Sequence, residues 1–272
     1  MADAPHSFDR AINLTSVDVA PGRARYDGEI TADYQNKIGP FGGVGAALLA
    51  QGMQQSVGEG PELISITADF LTGMTEDPIE VSAICHRVGK STEFWAASIK
   101  QGDAPSPALR ATGVFSKRRD TLEWTEGEMP DAPPPQDCER FQPPRTWGER
   151  IEIRPALNTD FFNSDSTRNA LWVRFAKDRP LDPIGLVCLA DTPTPRVFFT
   201  AKRFVPLSTV SMSVYLHASA EDYSNVGADY VFIDAYAGRG GGGFYDQHAR
   251  IWSRSGKLLA TTQQMVWYKA EK

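Results

Sequence analysis

The sequence predicts an α+β protein made of two similar halves, each an antiparallel sheet wrapped around one buried helix. Three observations predict it. The stretch Gly39–Gln55 opens on turn residues and from Val44 carries small and aliphatic side chains almost all round, with polar residues only at Gln51, Gln54 and Gln55. A helix apolar on nearly every side is one that other elements enclose. The segments after it alternate apolar and polar residues, the period of a half-buried strand. The same order of elements then returns roughly 145–150 residues later, a spacing that suits one small domain.

Taken in order, the residues around Ala11 to Ile30 read as a hairpin with Pro21-Gly22 as its turn. In the helix that follows, glycine is a poor former, so Gly45 and Gly52 point to close approach of another backbone. The Gly42-Gly43 pair falls where the helix N-terminus exposes free amides and the positive end of its dipole, suited to a ligand oxygen. Leu63–Leu71, Ile79–Arg87, Phe94–Lys100 and Ala108–Phe115 read as strands, with a turn at Val88–Ser91. From about Arg119 to Arg145 the chain holds six prolines and few aliphatic residues, as a linker or a surface-crossing segment would. The expected divisions are an N-terminal domain over 1–118, a linker over 119–145 and a C-terminal domain over 146–272.

The second half repeats the plan. Ala170–Phe175 is a strand. Asp182 suits an N-cap and Pro183 the first helical position of an apolar helix running to about Asp191. Val210–Leu216, Tyr230–Ala237, Phe244–Trp252 and Leu258–Trp267 are strands, with turns at Gly238–Gly243 and Ser255–Lys257. The glycine run formally matches a dinucleotide-binding fingerprint, but that motif needs a helix directly after it. Phe244–Trp252 is rich in aromatic residues and reads as a strand, so a hairpin or bulge is the better account, with a loop against a ligand as another.

Composition narrows the function. The net charge of -6 disfavours a nucleic-acid groove or a basic membrane face. No apolar run is long enough to span a bilayer, and the N-terminus lacks a signal-peptide core, so a cytoplasmic protein is expected. Cys85, Cys138 and Cys188 are widely spaced, as reduced thiols are. His6, His86, His217 and His248 show no metal-ligand spacing, and no nucleophile elbow occurs. Asp191 stands out at the end of the apolar run Gly185–Ala190, the unfavourable end of the helix dipole for a carboxylate. It reads either as a solvated residue before the Pro193 turn or as a general base. On the last strand Gln263 and Gln264 point to opposite faces, so one lies toward the helix, where an amide needs partners. The first half has no counterpart to that acid or that amide, which suggests one active site per chain.

These residues resemble the type II, double-hotdog acyl-CoA thioesterases. The carriers are Phe41-Gly42-Gly43, Leu189-Ala190-Asp191, Thr209–His217 and Leu259–Gln264, in the order and on the repeated elements that such a chain has. The resemblance implies two fused hotdog domains and hydrolysis of an acyl-CoA thioester, as in fatty acid metabolism. It carries the family's catalytic acid, hydroxyl and glutamine onto Asp191, Thr209 and Gln264. Thr209–Met212 lacks the acidic residue and histidine that some members have after the threonine, which leaves Thr209 or Ser211 as the hydroxyl. The adjacent Gln263 leaves the glutamine register open by one residue. The N–H groups of Gly43 and Gly42 would serve as the oxyanion donors. No metal and no cofactor is expected beyond the CoA of the substrate, and pairing into a homodimer is expected from exposed sheet edges. The alternatives are a non-catalytic acyl-CoA-binding hotdog protein and a hotdog hydratase or dehydratase.

Overall fold

A computed structural model of the chain describes residues 4–270, which form two compact units. The N-terminal unit comprises the described residues up to Thr121 with Pro143–Arg150 and Asp182–Cys188. The C-terminal unit comprises Leu122–Gln142, Ile151–Leu181 and the residues from Leu189 onward. The fold is α+β, each unit built on antiparallel strands with few helices. Among the described residues no helix is long and apolar enough to cross a membrane.

The N-terminal unit begins with a short helix α1 (Ser7–Ala11) and the hairpin β1 (Leu14–Ala20) and β2 (Arg23–Gly28). The helix α2 (Gly42–Ser56) follows, then β3 (Glu62–Phe70), β4 (Ile79–Val88), β5 (Thr92–Gln101) and β6 (Leu109–Ser116). A one-turn helix α3 (Trp147–Arg150) completes it. The strands pair antiparallel in the order β1-β2-β4-β5-β6-β3. In β2, β3, β4, β5 and β6 the alternation turns one face toward α2, as the sequence pattern predicts, whereas β1 is exposed beyond Leu14. Along that face Ala24, Ala83, Ala97, Ala111 and Ala68 stand in register across five strands, all buried. Such a row of methyl groups lets a helix lie close to the sheet.

The helix meets it with glycines, but what comes close is side chain rather than another backbone. A Cβ on Gly52 would stand 2.7 Å from Val81 Cγ1, and one on Gly45 2.6 Å from Leu109 Cδ2. Alanine gains about 1 kcal/mol of helix propensity over glycine, whereas a methyl forced against a stiff β-branched neighbour costs about 1–3 kcal/mol. Gly52→Ala is therefore expected to be a net destabilisation of up to about 2 kcal/mol in urea unfolding. Combining it with Val81→Ala should cost less than the two single changes added, because the second removes the clash. Strict additivity would show that α2 does not need this contact.

The C-terminal unit starts with β7 (Ile151–Leu157) and β8 (Asn169–Phe175). The helix α4 (Pro183–Leu189) comes next, its residues up to Cys188 counting with the N-terminal unit. The helix α5 (Arg196–Ala201), the strand β9 (Leu207–Leu216) and the helix α6 (Ala220–Val226) follow. Last come β10 (Val231–Tyr236), β11 (Gly240–Gly241), β12 (Phe244–Ser253) and β13 (Leu258–Tyr268). The pairing order is β9-β13-β12-β10-β8-β7, with β11 folding back on the start of β12. Gly242 and Gly243 take φ of 61° and 85° in that tight return, so the glycine run is a hairpin. The sequence reading passes over β7, α5 and α6. β7 contains Pro155, which interrupts a strand pattern and is tolerated because β7 ends the pairing order. The proline-rich stretch is not a free tether over Leu122–Gln142. Cys138 packs with Ala170, Trp172, Tyr230, Phe232 and Trp252, and Trp172 Nε1 donates to the Pro133 carbonyl at 2.8 Å.

Beside that cluster is a charged one. Glu152 accepts from Arg154 Nη2 at 2.7 Å and from Arg174 Nε at 3.0 Å, and Arg154 Nε also reaches the Tyr230 hydroxyl at 2.9 Å. Burial pushes the Glu152 carboxyl up, but hydrogen bonds from Tyr230, Arg154 and Arg174 outweigh it and hold it at about 2.

Candidate active site

The acid is placed by the end of a helix. Asp182 Oδ1 accepts from the Gly185 N–H at 2.6 Å and caps the start of α4, as its position before Pro183 predicts. The helix stops at Leu189, two residues short of the sequence expectation. Thr192 returns both its N–H and its hydroxyl to the Leu189 carbonyl, at 3.1 and 2.7 Å, and Pro193 and Pro195 prevent a restart. Asp191 therefore sits in the turn after α4, half-buried.

The glutamine is placed by strand register. Gln264 is 6% exposed and donates from Nε2 to Asp191 Oδ1 at 3.0 Å. The same nitrogen lies 3.3 Å from Met212 Sδ, on the residue directly opposite it in β9. Gln263 points the other way, exposed, with its Nε2 3.3 Å from His248 Nδ1. Gln264 is thus the glutamine that meets the acid.

A bulge separates the two candidate hydroxyls. By simple alternation Thr209 and Ser211 would share one face of β9. The register slips between them: Ser211 stands opposite Met265 and Thr209 opposite Val266. Residues directly opposite each other in an antiparallel pair share a face. Met265 is 40% exposed and Val266 is buried, so Thr209 joins the buried side with Gln264 while Ser211 turns to the outside.

Two neighbours of this pair have no signal in the sequence reading. Tyr245, opposite Val266 on β12, is buried, and its hydroxyl accepts from the Arg196 N–H. Burial pushes its phenol up; Arg196 opposes that and the Asp191 charge adds to it, so the tyrosine stays neutral within electrostatic reach of the acid. Arg196, 1% exposed, is pushed down to about 9 by burial and stays charged at neutral pH. Its guanidinium donates to the carbonyls of Thr194 and Thr167 at 2.7 Å and of Ala235 at 3.0 Å, and lies over the Phe199 ring. The arginine pins α5 to β10 and so fixes the turn that carries Asp191. Arg196→Met is expected to lower stability by about 2–4 kcal/mol, because three carbonyls lose their donor at once. A thermal shift within 2 °C of wild type would deny it that role.

Gly42 and Gly43 lie in the first turn of α2, in the N-terminal unit. The cap residue Phe41 contributes no side-chain hydrogen bond and stacks on Trp147 at 4.5 Å between centroids. The Val44 N–H donates to the Phe41 carbonyl at 3.0 Å, whereas the N–H groups of Gly42 and Gly43 come too early in the helix to find an acceptor within it. An open trough of about 740 Å³ crosses the outer face of the N-terminal sheet, lined among others by Arg23, Arg25, Ser82, Ala96 and Arg110. It contains none of the candidate residues.

Two family models match the chain: the acyl-CoA thioesterase N-terminal domain over residues 31–116 and the acyl-CoA thioesterase C-terminal domain over residues 126–268. Among solved structures, a hot dog fold protein of unknown function from Alicyclobacillus acidocaldarius is 32% identical, with a TM-score of 0.92 over 99% of this chain and 100% of that one. A putative thioesterase II from Thermobifida fusca YX is 18% identical, with a TM-score of 0.83 over 98% of this chain and 99% of that one. An acyl-CoA thioesterase II, TesB2, from Mycobacterium marinum is also 18% identical, with a TM-score of 0.78 and the same coverage. A search of curated proteins returned no match.

Proposed function

Because this chain belongs to the acyl-CoA thioesterase family, we propose that it hydrolyses an acyl-CoA thioester through a water activated by Asp191 and oriented by Gln264. Family membership supports thioester hydrolysis as the general reaction. The observation that carries the finer reading is the 3.0 Å bond from Gln264 Nε2 to Asp191 Oδ1, a base held by an amide on a rigid strand. In this reading Asp191 takes a proton from water as the oxygen attacks the carbonyl carbon. Gln264 and the Thr209 hydroxyl keep that water in line. The carbonyl oxygen becomes an oxyanion, for which Gly43, with Gly42, is the proposed donor. The C–S bond then breaks, the carbonyl re-forms, and the CoA thiolate leaves with the proton from Asp191. The products are the free acid and CoA. Pairing into a homodimer and a cytoplasmic location belong to the same proposal.

The test is release of free thiol from short, medium, long and aromatic acyl-CoAs. Wild type should turn over at least one of them, and Gln264→Leu should lower kcat on it by about 10²–10³ with KM little changed, the loss typical of one oriented transition-state partner. Wild-type turnover in Gln264→Leu would remove Gln264 from the mechanism. No thiol from any substrate would remove hydrolysis itself.

A further inference from the structure

The outer face of the C-terminal sheet, the side away from Gln264, exposes large apolar side chains. The outward positions of β9, β12 and β13 include Tyr215, Phe244, Met265 and Trp267. Tyr236 on β10 stands opposite the outward His248 and stacks on its ring. These five side chains other than the histidine are between 39% and 46% exposed. Phe244 lies directly opposite Trp267, with Met265 two residues along, so three of them form one patch. The four strands contain no lysine and no glutamate. Aromatic residues and methionine without those two are the composition of a protein interface rather than of open surface.

The two ends of this face are unlike. Phe244, Met265 and Trp267 lie at one, where the sheet itself meets solvent. At the other, residues 122–127 pass Arg250 and the turn after β12. Arg250 Nη1 donates to the Glu126 carbonyl at 3.4 Å, and Lys257 Nζ lies 3.3 Å from Glu123 Oε2. That segment holds Leu122 and Trp124 out in solvent, 85% and 81% exposed. Between the ends, β12 turns Asp246 and Arg250 outward on either side of His248. A raised end, a bare end and opposite charges placed evenly about the middle are self-complementary under a twofold rotation.

We infer that this face pairs with the same face of a second copy of the chain, about a twofold axis that crosses the strands near His248. Arg250 of each copy then comes opposite Asp246 of the other. Leu122 and Trp124 of each come over Phe244, Met265 and Trp267 of the other. The area is of the right size. Three strands of ten or eleven residues with β10 beside them present roughly 600 Å² as a flat projection. Side-chain relief and residues 122–127 add to that, and a stable interface takes about 800 Å² a side. The charge suits a second copy better than a bilayer. An anionic membrane calls for lysines and arginines, and the four strands hold one arginine against two aspartates. The sheet ends β1 and β7 are blunted against pairing. β1 bulges between Ser16 and Asp18, and β7 carries Pro155 with a bulge just after it. The inference is independent of the thioesterase reading.

Sedimentation velocity on the full chain tests this. Wild type should be dimeric at about 10 µM, since interfaces of this size reach micromolar affinity or better. Arg250→Glu should raise Kd by about tenfold to hundredfold, because it sets like charges face to face twice in each dimer. Asp246→Lys should do the same. An equimolar mixture of these two variants should form dimers about as tight as wild type, because each Arg250→Glu copy meets an Asp246→Lys copy with both charge pairs opposite in sign. Misfolded variants would show no such recovery. Met265→Glu and Trp124→Ser should each weaken pairing by at least about tenfold, with far-UV circular dichroism unchanged. Asp246 also holds the Arg239 N–H and His248, so if Asp246→Lys melts early, Met265→Glu and Trp124→Ser decide. A wild type still monomeric at about 100 µM overturns the inference. So does a dimer that persists unweakened in Arg250→Glu, Met265→Glu and Trp124→Ser, the result expected of pairing through a sheet edge. So does a monomer that sediments with vesicles of phosphatidylcholine, alone or mixed with phosphatidylserine, which would make this face a membrane surface.

Discussion

Asp191→Asn should lower kcat on the best acyl-CoA by about 10²–10⁴, the contribution of one positioned general base. The substitution is chosen because it keeps shape. Asparagine retains a carbonyl oxygen where Asp191 Oδ1 now accepts from Gln264 Nε2, so the 3.0 Å contact and the turn after α4 have no reason to change. What it lacks is the ability to take the proton of water. KM should therefore move by no more than a few-fold and the melting temperature by no more than about 2 °C, since neither substrate contacts nor packing depend on the charge. Combined with Gln264→Leu, the loss should be much smaller than the product of the two, because both residues act on one water. A variant with wild-type kcat would show that the base is elsewhere. A variant equally inactive but unfolded would be read through Asp191→Ser, which leaves room for a water in the carboxylate's place.

The second large effect is on stability and lies away from the chemistry. Glu152→Gln should cost about 3–5 kcal/mol at pH 7, the range for breaking a buried ion pair from one side. Arg154 and Arg174 would keep their charges without the carboxylate they share, leaving Arg154 the Cys138 carbonyl and Arg174 the exposed Asp178, and the Tyr230 hydroxyl would lose its charged acceptor. Both guanidinium groups are about a quarter exposed, which favours the lower end of that range. The pH dependence has a definite sign. A carboxyl held at about 2, below its ordinary 4.5, binds protons less readily folded than unfolded. Its contribution is complete above about pH 4.5 and is lost as pH falls toward 2, a loss of about 3 kcal/mol for a shift of this size. Urea midpoints of wild type and Glu152→Gln at pH 7, 4.5 and 2.5 check it: the gap between them should narrow steadily across the acid range. A gap of constant width would mean that the ion cluster is not what the glutamate contributes.

How much of this was legible in advance follows from how local each feature is. The buried helix α2, the N-cap at Asp182 and the strands after each helix all rest on patterns within fifteen residues or so, and each lies close to where the pattern puts it. The recurrence held too: β3 and β9 begin at Glu62 and Leu207, β6 and β13 at Leu109 and Leu258. Short elements were lost, because a five- to seven-residue helix such as α6 shows less than two turns of periodicity. Of the candidate site, Asp191 was visible as an acid out of place in an apolar run. Arg196 and Tyr245 were not, since a lone arginine after Thr-Pro-Thr-Pro and a tyrosine on an alternating strand look the same buried or exposed.

By itself the sequence determined that the chain forms two α+β halves, each with an apolar helix and a meander, and that acid and amide belong to the second half alone. Periodicity and composition suffice for that, because burial of one face is a property of each segment. Only the tertiary structure decided that Gln264 rather than Gln263 meets Asp191, that Thr209 rather than Ser211 shares their side, and that Gln247 stands directly opposite Gln264. Those answers turn on which residues of β9, β12 and β13 stand opposite one another and on one bulge at Val210. A register slip of a single residue exchanges the two faces of a strand while leaving its alternation unchanged, so the pairing partner, not the pattern, carries the information.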